Sequence, residues 1–417
     1  MVGPRRVPAL GVAYVLVLAA CEEGPGELES QIVRDSVGIT LVDNPEDVWA
    51  GPETWRLSPE PVLRIGAVDG EEPYLFGQIA DIIVLSDGRI VVAEGADRTL
   101  RWFDDEGRFL FQRGGLGQGP GEISSFGGVT LAADDTIVVR DRGGGRVVSF
   151  GPDGSHLGTT TSDELRAPSL GKTYRLSDGS YLIAQPGAGP DRTSPSLEPG
   201  LIRIPVALLR VPAGDEGGTA DTIGVFPGPE REVHRREGVP AVDTPYFQRT
   251  LSHTVTQDRI YVGTQEPFEI NVFSAGGEWL RSIRARNVDI ELGEERLGAF
   301  RDWMLGRLDG LPPDRRAALA REFEETLAQR HLPENVPAYS TFLPDRAGNL
   351  WVAEYRFELN LHPPDRWVVF DPEGRFVSTV TLPPDFTLLA VTEDRVYGRW
   401  TDEMDVQYVA AYAFEKP

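Results

Sequence analysis

The chain has 417 residues, of which 40% are hydrophobic and 25% charged, with a net charge of −24 and a single cysteine. That length is ample for a large core, as two or three domains or as one domain built from repeats. The charge argues against nucleic acid or an anionic membrane surface as partner, since both call for basic patches, and one cysteine allows no internal disulfide.

Residues 1–20 have the layout of an export signal: Arg5 and Arg6, a short apolar run from Val7 to Leu18, then small residues before Cys21. The run is shorter than the roughly 20 residues that span a bilayer. Leu18-Ala19-Ala20-Cys21 resembles the lipobox of bacterial lipoproteins. The resemblance implies cleavage before Cys21 and acylation of its thiol and, usually, of the new amino group. Several acyl chains anchor stably where one is marginal. Glu22 stands where retention in the inner membrane favours Asp, so the resemblance implies an envelope protein of the outer membrane. Residues 22–30 (EEGPGELES) are acidic, contain glycine and lack an apolar pattern. They read as a flexible tether, taken to extend from 21 to 35, with the folded domain over 36–417.

A pattern then recurs: a short alternating run, a turn with Asp or Gly, and an apolar run rich in β-formers. It appears at Leu85 (LSDGRIVV), Ala132 (AADDTIVV), Leu176 (LSDGSYLI), Thr256 (TQDRIYV), Asp345 (DRAGNLWV) and Thr392 (TEDRVYG). Each reads as a β-hairpin. A second hairpin often follows, at Phe103 (FDDEGRFL), Phe150 (FGPDGSHL), Phe273 (FSAGGEWL) and Phe370 (FDPEGRFV). Gly88, Asp135 and Gly179 lie 47 and 44 residues apart, and Gly348 and Asp394 lie 46 apart. Four antiparallel strands at a period of about 45 residues predict a propeller blade. The expectation is an all-β, six-bladed β-propeller of four-stranded antiparallel blades. The last repeat lacks its outer strand, and residues 55–65 (WRLSPEPVLRI) are expected to supply it and close the ring.

Residues 117–154, with GPG, a strand-ending Asp, an Arg and a final Phe-x-x-x-Gly, resemble an NHL repeat. The layout from about 65 to 417 is similar to bacterial six-bladed β-propeller lipoproteins of the NHL-like class. That resemblance implies the propeller fold but names no ligand.

Aligning the repeats sets Glu94, Asp141, Gln185, Thr264, Glu354 and Arg399 at the end of each second strand. Six such positions on one face make a candidate channel ring, for a cation, a polyol-like ligand or an acid/base pair. A repeated position is first a blade-building position, however. In NHL repeats the strand-end Asp commonly pairs with an Arg of the next strand, which the resemblance implies for Asp141 with Arg146 and, over a longer loop, for Glu354 with Arg366. No cofactor is expected, with calcium the one ion the ring leaves open; its acids lack the histidines of a zinc-type lyase.

Other motifs fail. The glycines of residues 114–121 have no Gly-Lys-Ser/Thr frame, the five histidines have no ligand spacing, and no G-x-S-x-G is present. Lysine occurs only at Lys172 and Lys416, which carries no functional expectation.

Residues 291–334 break the β pattern. Leu297, Phe300, Met304 and Leu308, then Leu319, Phe323 and Leu327 after Pro312-Pro313, predict two amphipathic helices in a hairpin, packed on the propeller or capping its channel. The leading expectation is a membrane-anchored, non-enzymatic binding or scaffolding propeller whose partner is an envelope protein, a peptide or a glycan. The alternative is a calcium-type propeller hydrolase or lactonase using Glu94, Asp141 and Glu354.

Overall fold

The computed structural model describes residues 32–36, 38–44, 47–190, 198–214, 219–236, 239–286, 288–357 and 363–415. The expected leader, Cys21 and residues 22–30 of the tether lie outside them, as does His362. No helix among the described residues is long and apolar enough to cross a membrane.

The strands form six sheets, each led by an inner strand: Ile79–Val84, Phe126–Leu131, Leu170–Arg175, Ser252–Thr256, Phe342–Pro344 and Phe386–Val391. The inner strands of blades one to five touch in succession, and that of blade six touches blade one, so the sheets form a ring. The expected turns hold the hairpins. Leu85 and Leu176 each close a turn onto Gly88 and Gly179, whose φ of +89° and +85° suit glycine; Asp135 and Asp258 take the same left-handed region at +59°. Alternating side chains fill the spaces between blades. Trp102, Val129, Val139 and Phe150 are at most 1% exposed between blades one and two, and Trp351, Trp367 and Phe386 pack likewise between blades five and six.

Not every blade has four strands. Blades one, two and five do. Blade three has five, because Gly200–Val211 and Asp221–Arg236 overrun the usual strand length and Val239–Asp243 pairs with the overhang. Blade four has six. Ile32–Ser36 and Ile39–Asn44 form a hairpin whose second strand pairs in parallel with the outer strand Trp279–Ala285. The expected tether thus gives way to a strand at Ile32. Val42, 1% exposed, is the apolar reason the hairpin stays on the sheet.

The chain then crosses three blades. Asn44 donates to the carbonyls of Arg284 (3.2 Å) and Gly374 (2.9 Å) and accepts from the amide of Phe376 (2.7 Å), joining blade four to blade five. Ser378 accepts from the amides of Thr54 and Trp55 along blade five. Finally Arg56–Leu57 and Leu63–Ile65 pair with Gln407–Glu415 and complete blade six, as the repeat count predicts.

The insertion folds as two helices, Glu294–Gly306 and Pro313–Gln329. Pro312 and Pro313 start the second, where a missing N–H costs nothing. Leu297, Phe300, Met304, Phe323 and Leu327 pack against Tyr246 and Phe247 before blade four and against Tyr355 and Phe357 of blade five. Arg330 and His331, at the end of the hairpin, reach Glu232 of blade three at 2.9 and 3.4 Å. The helices are therefore seated on the upper face, which carries the ends of the second strands and the connections between blades.

Candidate functional site

The six ring positions do not share one environment. Glu94 is fully buried: its carboxylate accepts from the amides of Gly77 (2.9 Å), Gln78 (2.6 Å) and Asp97 (2.7 Å). Asp141, also fully buried, accepts from Ser124 (3.1 Å), Ser125 (3.0 Å) and Gly144 (3.1 Å) and pairs with Arg146 at 3.0 Å. Burial opposes its charge, and those amides and Arg146 outweigh it, holding the carboxyl below the usual aspartate value. Both acids staple the incoming connection to the loop after the second strand. The anticipated pair Asp141–Arg146 is part of that staple, whereas near Glu94 it is Asp97 that binds an arginine, Arg101, at 2.7 Å.

The other positions diverge. In blade four the staple is Gln265, 3% exposed, which accepts from the amide of Thr250 and donates to Ser340; Thr264 offers only its carbonyl, to Arg203 at 3.0 Å. Gln185 is half-buried, opposite Ala207. Arg399 donates to the Ile79 carbonyl (3.2 Å) and to Thr387 (3.3 Å), joining blade six to blade one. Among the described residues no hydrogen bond or ion pair joins any two of the six side chains, and no group of three His, Cys, Asp or Glu side chains is placed to hold a metal ion.

Glu354 is the exception. It lines a hollow of about 240 Å³ with Trp49, Asp289, Arg296, Tyr355, Arg356 and Phe357. Its amide binds the Arg366 carbonyl (2.9 Å), but among the described residues no donor reaches its carboxylate. Burial pushes its pKa up, against the attraction of Arg366 and Arg356. The difference is local. After Glu94 the chain runs Gly95-Ala96 and after Asp141 it runs Arg142-Gly143-Gly144, and in each case the third residue turns its amide back onto the carboxylate; a Cβ on Gly144 would meet Asp141 Oδ2 at 2.4 Å. After Glu354 stand Tyr355, Arg356 and Phe357, with no glycine among them, and no amide of these three turns back onto the carboxylate. That substitution was the available signal. Trp49 had none, because it arrives from the N-terminal crossing.

A second hollow, of about 510 Å³, lies across the returning leg of the insertion and is lined by Arg249, Glu266, His331 and Glu334. Its arginine is already engaged, by Glu230 and by Glu266 at 3.3 Å.

Nearer the axis, Lys172 of blade three reaches over blade two to pair with Asp81 of blade one at 2.7 Å. Asp81 also accepts from the amide of Val129, so the pair ties three blades together. His253 of blade four donates from Nε2 to the Lys172 carbonyl (3.1 Å), and burial pushes its pKa down to about 4. Sequence reasoning passed over Lys172, although it is one of two lysines in the chain.

Residues 69–182 match a family model described as a six-bladed β-propeller. No curated protein matches the chain. Among solved structures, a member of the DUF4221 family from Bacteroides vulgatus is 12% identical, with 88% of this chain and 99% of that one covered at a TM-score of 0.51. A Bacteroides fragilis protein described as exported is 13% identical, with 91% and 100% covered and a TM-score of 0.47. A gluconolactonase from Xanthomonas campestris is 14% identical, with 85% and 99% covered and a TM-score of 0.39. The family match and the Bacteroides vulgatus structure agree with the ring of sheets described above, and the chain is a six-bladed β-propeller.

Proposed function

We propose that this protein is a lipid-anchored, extracytoplasmic binding propeller whose ligand site is the upper-face hollow at Glu354. One observation carries the site: of the three expected acids, Glu354 alone has a carboxylate that no backbone amide of the described residues reaches and that lies beside an open hollow. Binding is preferred to metal-dependent hydrolysis because Glu94 and Asp141 are each engaged in holding the incoming connection of their own blade, and among the described residues no group of three His, Cys, Asp or Glu side chains is placed to hold a metal ion. The anchor reading and the extracytoplasmic location both rest on residues 1–21, with their export-signal layout and Cys21. The outer membrane is the membrane we favour, from Glu22 after the cysteine.

Two experiments test the two parts. Cys21→Ser should move the protein from the detergent phase to the aqueous phase in a phase-partition assay; continued partitioning into detergent rules out the anchor. The chain from residue 22, which keeps every described residue, is then titrated with peptide and glycan fragments of a bacterial envelope. A ligand whose binding is lost in Trp49→Ala and in a deletion of residues 291–334 supports the hollow, and a ligand indifferent to both places the site elsewhere.

A further inference from the structure

The charges around the hollow do not cancel. Among the described residues four carboxylates lie on or beside it: Asp47, Asp289, Glu354 and Asp365. Three guanidiniums answer them. Arg296 is held by Asp289 at 3.3 Å, Arg356 by Asp365 at 3.2 Å, and Arg366 donates to the Trp49 carbonyl. Asp47 accepts from the amides of Trp49 (3.0 Å) and Ala50 (3.1 Å). Among the described residues, four against three leaves one negative charge, and Glu354 is the carboxylate that no described donor reaches.

The walls are aromatic and aliphatic. Trp49, Tyr355 and Phe357 are each half-buried. Trp49 is fixed by Phe268 (ring centroids 5.7 Å apart), and Phe357 by Phe300 (5.7 Å) and Trp303 (5.6 Å), so these two rings are held while part of their surface stays open. Val288, Ile290 and Val336 line the remainder. At about 240 Å³ the hollow is smaller than the roughly 300–1,000 Å³ of drug-sized sites, so it suits one side chain rather than a whole ligand.

Resting on the binding reading above, we propose that the hollow takes the lysine side chain of a polypeptide partner. Glu354 pairs with the ammonium, the aromatic rings add cation–π attraction, and the four-carbon stem lies along the aliphatic wall. The chain's net charge of −24 favours a basic polypeptide and disfavours an anionic lipid surface as the source of the cation.

The test is calorimetric titration of the chain from residue 22 with Nα-acetyl-lysine methylamide, its Nε-acetyl form and phosphocholine. The lysine probe should bind at least about tenfold tighter than the Nε-acetyl form, and Glu354→Gln, checked for an unchanged melting temperature, should weaken it about tenfold. Affinity should rise with pH as Glu354 ionises, with a midpoint above the usual glutamate value, while the ammonium stays charged. Equal binding of the Nε-acetyl form, preference for phosphocholine, or full affinity in Glu354→Gln overturns the proposal. If a neutral probe binds and Trp49→Ala abolishes it, the hollow stands as the site and only the lysine assignment falls. If Trp49→Ala and Glu354→Gln leave the binding of every probe unchanged, the site itself falls.

Discussion

Replacing Asp141 by Asn separates a structural acid from a functional one. The amide oxygen of Asn can still accept from Ser124, Ser125 and Gly144, but its NH2 would face Arg146 Nε, donor against donor. The side chain of Asp141 is 0% exposed and that of Arg146 10%, so water replaces little of what is lost. Breaking such a buried pair costs about 3–5 kcal/mol. Arg146 retains the carbonyls of Gln118 (2.6 Å) and Glu122 (2.9 Å), which places the cost at the lower end, about 3 kcal/mol. With an unfolding entropy of roughly 0.8 kcal/mol/K for a domain of roughly 380 residues, that is about 4 °C in Tm. The effect has a pH signature. Asp141 in the folded protein titrates below the 3.8 of a free aspartate, so its stabilisation is complete above that value and disappears as pH falls through the lowered folded one. Thermal and urea unfolding followed by tryptophan fluorescence should show a gap between wild type and variant at pH 7 that begins to narrow as pH falls below the 3.8 of a free aspartate. A variant as stable as wild type at pH 7, or more stable, would refute the staple and restore Asp141 as a candidate ligand-binding acid.

Three further outcomes follow from the same reasoning. His253 titrates at about 4 in the fold against 6.5 when free, so the unfolded chain takes the proton first and stability falls by about 3 kcal/mol between those values; His253→Gln should flatten that window, and an unchanged slope would acquit the histidine. Ile65, 1% exposed on the strand that closes blade six, should cost about 3 kcal/mol as Ile65→Ala by urea unfolding, whereas a loss below about 1 kcal/mol would mean the ring does not depend on that strand. Phe300, packed on Tyr246, Phe247 and Phe357, should on change to Ala release the helical hairpin by about 3–5 kcal/mol while the blades hold; hydrogen exchange that stays slow over residues 294–329 would contradict that.

The repeat carried most of the fold because its signals are local. A hairpin turn needs Gly88 or Asp135 at a left-handed φ, and alternate residues must be apolar where blades stack, so both constraints are written within a few residues of each other. The helix pair was legible for the same reason, in the spacing of Phe300, Met304, Phe323 and Leu327. The N-terminal crossing was legible only at its end. Residues 55–65 fill a gap that the repeat count exposes, but Ile39–Asn44 pairs in parallel with Trp279–Ala285, and no local pattern announces a partner more than two hundred residues away.

The site divides along the same line. The sequence by itself determined that an acid ends the second strand in blades one, two and five, because that position recurs. Only the tertiary structure decided what each acid does. Backbone amides close on Glu94 and Asp141, whereas Glu354 lines a hollow where it is joined by Trp49 from a distant segment and by Arg296 from the insertion. A carboxylate's role depends on which donors reach it, and those donors come from chain segments that meet only when the ring closes.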